Sequence, residues 1–272
     1  MLSGTLIGAL ALGATLLIAV SWKWCLPRDV ATLICALAVA AGVAAGLWMD
    51  AAALPPLATF TLTVAIQLFV YLVALAYRFY RDPDRVPPSD PSAVVSPADG
   101  KVIYVRRIEP GSLLQSDKRG SRLVLDELTQ THLSDCELWQ IGISMVFTDV
   151  HVNRAPIAGR VLLSQHRPGR FLSLRSAEAV NLNERQTMLL DNGRFQVAIV
   201  QIASRLVRRI QSYVQPGQDV HLAQRIGMIK FGSQVDLFLP LASVGAICVE
   251  VGDALKAGET IVCREDGAPR TV

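Results

Sequence analysis

Little in this 272-residue chain invites a metal ion or a disulfide. It has 5 cysteines and 4 histidines. Cys25 and Cys35 lie in or beside apolar stretches, while Cys136, Cys248 and Cys263 are scattered, and no CxxC occurs. That spacing argues against a disulfide framework and a structural zinc site, and it suits a reducing compartment. The histidines, at 132, 151, 166 and 221, form neither His-x-His nor His-Glu-x-x-His. Hydrolytic zinc needs three protein ligands and an open position, so no metal is expected. Charge is nearly balanced, with 26 Lys and Arg against 23 Asp and Glu. The net +3 gives no reason to expect a nucleic-acid partner.

What the chain has in excess is apolar sequence: 51% of residues are hydrophobic and the mean hydropathy is +0.38. The excess lies at the front, in Leu2–Val20, Val30–Met49 and Leu57–Tyr77. Each stretch is near the ~20 residues that cross a ~30 Å hydrocarbon core as a helix. Trp22, Trp24, Trp48, Tyr77 and Tyr80 flank them, where amphipathic rings favour the membrane boundary. A cleaved signal peptide does not fit the first stretch, which lacks a basic n-region and runs into Trp22-Lys-Trp24 rather than small residues. The Ala/Gly-rich second stretch could be a buried helix, although its length and lack of charge favour the membrane. Residues 1–80 are therefore expected to be an anchor of two to three transmembrane helices. Lys23 and Arg28 fall between the first and second stretches, no Lys or Arg between the second and third, and Arg78, Arg81 and Arg85 follow the third. The positive-inside rule then puts the N-terminus outside and everything beyond residue 80 in the cytoplasm, on the inner cell membrane.

After Tyr80 the texture changes. Arg81-Asp-Pro-Asp-Arg-Val-Pro-Pro-Ser-Asp-Pro91 is charged and proline-rich, and proline cannot continue a helix. Residues 81–92 read as a linker and 93–272 as one catalytic domain. That domain reads mainly as β, with strands over Lys101–Ile108, Trp139–Phe147, Gly159–Ser164, Thr187–Asp191, Arg194–Ile202, Ile226–Phe231, Val235–Leu239, Ala246–Val251 and Glu259–Cys263. Asn192-Gly193 favours a type I′ hairpin turn. Leu172–Arg185 has weaker helical or loop character. Val251-Gly-Asp-Ala-Leu-Lys-Ala-Gly-Glu-Thr-Ile261 resembles the turn of biotinyl and lipoyl domains, which supports a barrel-sandwich-like fold. It does not support a carrier function, because no lysine sits in the expected exposed hairpin. The expected class is thus N-terminal transmembrane α-helices followed by a mainly β domain, α+β as a whole. Arg205, Arg208, Arg209, Arg225 and Lys230 lie close in sequence. They make either a solvated face or one that meets anionic headgroups.

Three short motifs carry the chemistry. Phe231-Gly232-Ser233-Gln234 places a Gly-Ser pair inside strand-like sequence. Most such pairs are turns, but here the serine hydroxyl could attack the preceding carbonyl and cut the chain. Ser96-Pro-Ala-Asp99-Gly-Lys101 puts an aspartate before glycine, by itself usually a turn former. Val150-His151-Val-Asn-Arg154-Ala-Pro156 puts a histidine after a strand. A serine is a weak nucleophile until a base takes its proton, and a carboxylate can fix the tautomer of an imidazole.

Together these motifs resemble the phosphatidylserine decarboxylase family, in its short bacterial and archaeal form. The likeness covers most of residues 78–263. It also includes Arg81-Asp-Pro83, Pro168-Gly-Arg-Phe-Leu172, Asn183-Glu-Arg185, Val200-Gln-Ile-Ala203 and Arg208-Arg-Ile210. The resemblance implies a proenzyme cleaved between Gly232 and Ser233, with Ser233 becoming a pyruvoyl group that forms a Schiff base with the substrate. Asp99 and His151 match the residues that activate the serine, and His151 is a candidate acid in turnover. The implied partners are phosphatidylserine in the membrane and the N- and C-terminal chains of the cut proenzyme, with a homodimer left open. Larger members carry Leu-Gly-Ser-Thr and a second histidine where this chain has Phe231-Gly-Ser-Gln234 and Arg154. Arg154, and more weakly Lys230, are candidates for binding substrate phosphate or carboxylate, although a structural salt bridge is an equal reading of Arg154. Two other classes are weighed: a membrane-bound zinc peptidase, suggested by Pro97-Ala-Asp-Gly-Lys-Val102, and a non-enzymatic scaffold of biotinyl type. The same reaction on archaetidylserine is the nearest rival.

Overall fold

The computed structural model describes residues 3–23, 26–110, 113–115, 122–124, 136–169, 183–203, 210–230 and 233–266. The chain divides into two compact units, Met1–Arg81 and Asp82–Val272.

The first unit is three helices, α1 (Gly4–Lys23), α2 (Arg28–Ala51) and α3 (Pro56–Tyr80), with mean hydropathies of 2.0, 2.3 and 2.0 over their most apolar windows. All three are long and apolar enough to cross a membrane. Prolines open two of them: Pro27 precedes α2, and Pro55 and Pro56 start α3, where a missing N–H costs nothing. The inward stripe of α3 is Thr59, Thr63, Gln67, Tyr71, Leu75 and Phe79, each four residues from the last. It packs on small residues of α1 and α2: Gln67 occupies the space that side chains at Gly13 and Gly42 would need. Ser21 Oγ lies 2.7 Å from the Tyr71 hydroxyl.

The second unit is antiparallel throughout its pairings. Its strands are β1 (Ala93–Val95), β2 (Gly100–Ile108), β3 (Leu113–Gln115), β4 (Arg122–Val124), β5 (Leu138–Met145), β6 (Val152–Arg154), β7 (Gly159–Arg167), β8 (Arg185–Asp191), β9 (Gln196–Ala203), β10 (Ile210–Ser212), β11 (Asp219–Val220), β12 (Arg225–Ile229), β13 (Ser233–Pro240), β14 (Ala254–Leu255) and β15 (Ile261–Arg264). Eight of them form one sheet in the order β11-β7-β8-β9-β13-β5-β2-β14. A three-stranded sheet runs β10-β12-β6, and β1 pairs with β15.

The large sheet is covered on both faces, which is why its middle strands read as almost unbroken apolar runs. One face carries Ile141, Ile143, Val197, Ile199, Val235, Leu237 and Leu239 into the main core. The other carries Leu138, Ala198, Val200, Ile202 and Phe238 into a second cluster. β13 sits at the centre, bonded to β5 on one side and β9 on the other.

Most expected strands are present within a few residues. Ala246–Val251 is not one of them: it is extended, but only isolated bonds such as Cys248 N–H to the Val262 carbonyl (2.8 Å) hold it. The hairpin at 192–195 also differs. Gly193 takes a positive φ of 82° and Asn192 does not, so the turn is not type I′. The Asn192 carboxamide oxygen accepts from the Arg194 and Phe195 amides, both at 2.9 Å, and Asp191 Oδ1 accepts from the Gly193 amide at 2.6 Å. Of the stretch 172–185, only Asn183, Glu184 and Arg185 are among the described residues. The short strands β6 and β10 were not anticipated, because three residues are too few to show a period.

Candidate active site

Ser233 is the first residue of β13, opposite Met145 of β5 and Ala203 of β9. Phe231 and Gly232 lie outside the described residues. The strand before the pair, β12, ends at Ile229, and the Ile229 amide donates to the His151 carbonyl at 3.2 Å. Four residues of chain reach about 14 Å at full stretch, so that bond confines His151 to within one short connection of Ser233.

His151 is completely buried. Its Nδ1 sits 2.8 Å from the Asp149 carbonyl oxygen. A carbonyl only accepts, so Nδ1 carries the hydrogen and Nε2 is the basic nitrogen of the neutral ring. The backbone carbonyl of Asp149, in the turn before β6, therefore sets this tautomer.

Asp99 lies in the turn before β2. Ser96 shapes that turn by donating from its hydroxyl to the Ala98 carbonyl at 2.7 Å. Gly100 follows with φ 142°, and a Cβ there would come within 2.4 Å of the Ser144 carbonyl oxygen, so only glycine fits. Lys101 and Gln234 both face Ser144, from opposite sides of β5. One step earlier, Gly100 and Ser233 share a level, two strand spacings or ~10 Å apart. The fold thus brings the turn bearing Asp99 and the Gly-Ser pair to one end of the sheet.

The carboxylate of Asp99 has other partners. Arg85 Nη2 donates to both its oxygens, at 3.0 and 2.8 Å, and the Ala257 amide donates to Oδ1 at 2.8 Å. Among the described residues Asp99 makes no bond to His151. Arg154 is likewise engaged: Nη1 donates to the Ala223 carbonyl (3.0 Å) and Nη2 to Asp82 (3.1 Å) and the Pro83 carbonyl (2.9 Å). Burial lowers its pKa from the usual arginine value, opposed by the Asp82 carboxylate. The structural salt bridge, one of the two readings of this residue, is the one its contacts favour. Lys230 is half-buried at the end of β12 and makes no ion pair among the described residues.

Asp82-Pro-Asp-Arg85, expected as linker, is therefore a strap bound to the second unit. Asp82 bridges Arg154 and Arg225, and Asp84 meets Arg225 at 3.1 Å. Arg85 reaches Asp99 and Glu259, at 2.8 and 3.3 Å. Arg85 and Arg154 are buried as side chains, at 8% and 5% exposure. The sequence signal was Arg81-Asp-Pro itself, in which Asp82 and Pro83 meet Arg154 across |i−j| of 72 and 71.

A second feature escaped the sequence. Gln201 donates to Asn153 Oδ1 at 2.6 Å, with both side chains fully buried. Asn153 Nδ2 and Gln201 Oε1 have no partner among the described residues. Flipping both amides would exchange the roles, so one donor and one acceptor stay unmet either way. Gln201 is two residues from Ala203, which faces Ser233. Among the described residues no three His, Cys, Asp or Glu side chains converge as metal ligands. Burial pushes the Cys263 thiol up to about 12, so it is inert as a nucleophile at neutral pH.

Comparison with known proteins shows the family. The model of the phosphatidylserine decarboxylase family matches residues 72–263. A phosphatidylserine decarboxylase proenzyme of Desulfotalea psychrophila is 38% identical over 200 residues, 72% of this chain and 83% of the relative. One of Erythrobacter litoralis is 40% identical over 205 residues, 74% of this chain and 77% of the relative. A provisionally named archaetidylserine decarboxylase proenzyme of Methanothermobacter thermautotrophicus is 38% identical over 201 residues, 74% and 85% of the two chains. The class is that of the carboxy-lyases made as proenzymes for phospholipid biosynthesis. Within it, the chain belongs to the phosphatidylserine decarboxylase family.

Proposed function

We propose that this chain cuts itself between Gly232 and Ser233 and then converts phosphatidylserine to phosphatidylethanolamine and carbon dioxide. The Ser233 oxygen attacks the Gly232 carbonyl carbon while a base takes its proton, and the C–N bond breaks as the nitrogen is protonated, leaving an ester. Elimination across the Cα–Cβ bond of residue 233 frees Gly232 as a carboxylate and leaves a dehydroalanine. Water then replaces its nitrogen, releasing ammonia and leaving a pyruvoyl terminus. That ketone supplies an electron sink for decarboxylation of a substrate bearing a primary amine.

The residues present fit such a group. Ser233 opens a strand paired with a neighbour on each side, so the new terminus begins inside the sheet and not in a loop. The observation that carries the reading is this position of Ser233, one connection from the buried imidazole of His151. Nε2 of His151 acts as base in maturation and holds the proton delivered in turnover, roles worth ~10²–10⁴-fold for a positioned group. The Asn153–Gln201 pair offers a donor and an acceptor to a polar headgroup. Residues 1–80 form the membrane anchor with the N-terminus outside, and the second unit works at the cytoplasmic face, where the substrate's acyl chains stay in the bilayer. Archaetidylserine is the second substrate reading, favoured by the Methanothermobacter relative.

The test is denaturing electrophoresis with mass spectrometry of the smaller fragment. Wild type is expected as two chains, the smaller beginning with a keto group at 233, and Ser233→Ala as one inactive chain. An active wild type that remains a single polypeptide rejects the mechanism. Assay on diacyl and diether serine lipids separates the two substrates.

A further inference from the structure

The face of the large sheet opposite the main core holds a buried polar cluster centred on Asp236, whose residue is wholly buried. The Tyr104 hydroxyl donates to its two oxygens, at 2.7 and 2.8 Å. Gln140 Nε2 donates to Oδ2 at 2.8 Å, and Gln234 Nε2 donates to Oδ1 at 2.8 Å. Gln234 Nε2 also meets the Tyr104 hydroxyl at 2.6 Å. Arg106 closes the group, donating to Gln140 Oε1 at 2.7 Å with its guanidinium 4.7 Å from the centre of the Tyr104 ring.

Tyr104 is on β2 and Asp236 on β13, with β5 between them. Their shared neighbour across the ladders is Gly142. A Cβ at 142 would lie 2.3–2.7 Å from Tyr104 ring atoms, so the missing side chain is what lets the phenol cross β5. Burial, and then the Asp236 charge, push the Tyr104 hydroxyl well above its ordinary value of 10.0. It therefore remains a hydrogen donor at any working pH. The cluster thus ties three strands together through side chains, at one and three residues beyond Ser233.

We infer that Tyr104, Gln140, Gln234 and Asp236 clamp the first residues of the C-terminal chain after the cut, so that the keto terminus at position 233 stays aimed. This rests on the cleavage proposed above. Before scission, position 233 is held covalently from both sides, and the clamp is redundant. Afterwards it is a chain end, and chain ends fray unless tied down. Backbone ladders alone would leave the terminal pair free to open, while side chains locked at 234 and 236 oppose that opening. These are positioning residues: they act on the reacting atoms only through the strand that carries them.

The experiment compares full-length wild type with Tyr104→Phe and Gln234→Leu in detergent. Phenylalanine keeps the ring over Gly142, so the packing survives. Four quantities are read: fraction cleaved, ketone trapped by borohydride with an amine, kcat and KM. The expected result is normal cleavage and ketone content, with kcat reduced on the order of 10²-fold for a terminus displaced by about 1 Å and KM within about twofold. Variants that turn over like wild type, or that lose cleavage and kcat in parallel, overturn the clamp. An active wild type that is never cut overturns the cleavage reading itself and the clamp with it.

Discussion

The two units of this chain differ in what they leave exposed. In the helical unit only 28%, 28% and 22% of the spanning windows are buried. Large apolar groups point outward, with Leu57 at 75% and Phe69 at 68% exposure, while Thr59, Thr63 and Gln67 point inward. In the β unit large apolar residues such as Ile141, Ile143, Leu237 and Phe238 are inside, and buried polar groups such as Asp236 and Gln140 are bonded into a network. The exposed apolar surface is what helices long and apolar enough to cross a membrane present, and inside the bundle close packing on small residues such as Gly13 and Gly42 is a contact that serves in lipid as well as in water. Gln67 is buried with both amide atoms unpartnered among the described residues, which costs free energy in any apolar interior.

The sharpest break of this comparison is to separate the units. A chain lacking residues 1–78 keeps the strap and is expected to self-cleave and to turn over a short-chain soluble serine lipid. On bilayer vesicles its rate should fall on the order of 10²-fold or more, since positioning is lost. Equal rates on vesicles would show that the helices are dispensable for reaching substrate. The next test is Arg85→Gln. It leaves the Asp99 carboxylate buried without its bidentate partner, a defect worth about 3–5 kcal/mol. At roughly 2–4 °C per kcal/mol for a domain of this size, the melting point of the β unit should drop by about 6–20 °C. The helical unit should retain its ellipticity. Loss of both together would mean that the strap does not belong to the β unit alone.

The smallest effect is a pH slope. Burial raises the pKa of Asp236 above the ordinary 3.8, against three hydrogen bonds and Arg106. Tyr104 and Arg106 are the ionisable groups that face it. A raised acid favours its protonated folded form, so its contribution to stability is greatest at low pH. It declines as pH rises from 3.8 through the folded value. Melting of Asp236→Asn and its parent, both in the uncut Ser233→Ala background, should show the difference shifting towards the variant across that window. A constant difference would mean that Asp236 does not titrate in the folded range.

Much of this organisation could be read from residue order. Hydropathy located the three helices to within a few residues, because about twenty apolar positions in a row have few other uses. Alternation and apolar runs located β2, β5, β9 and β13. Gly232-Ser233, Asp99 and His151 stood out because few residue types suit the chemistry. Other features were not legible. Arg85 reads as linker charge until Asp99 lies beside it, and Arg154 reads equally as a phosphate ligand or a salt-bridge partner until Asp82 is found against it. Tyr104, Gln140 and Asp236 read only as polar positions within strands. Nothing in their spacing indicates that the face they share is buried.

By itself, the sequence determined where the chain is apolar, where it turns and which residues could act, because these depend on neighbours within a few positions. Only the tertiary structure decided which charges pair and which strands flank Ser233. Those outcomes depend on groups brought together from distant positions, whose contacts exist only once the sheets have closed on each other.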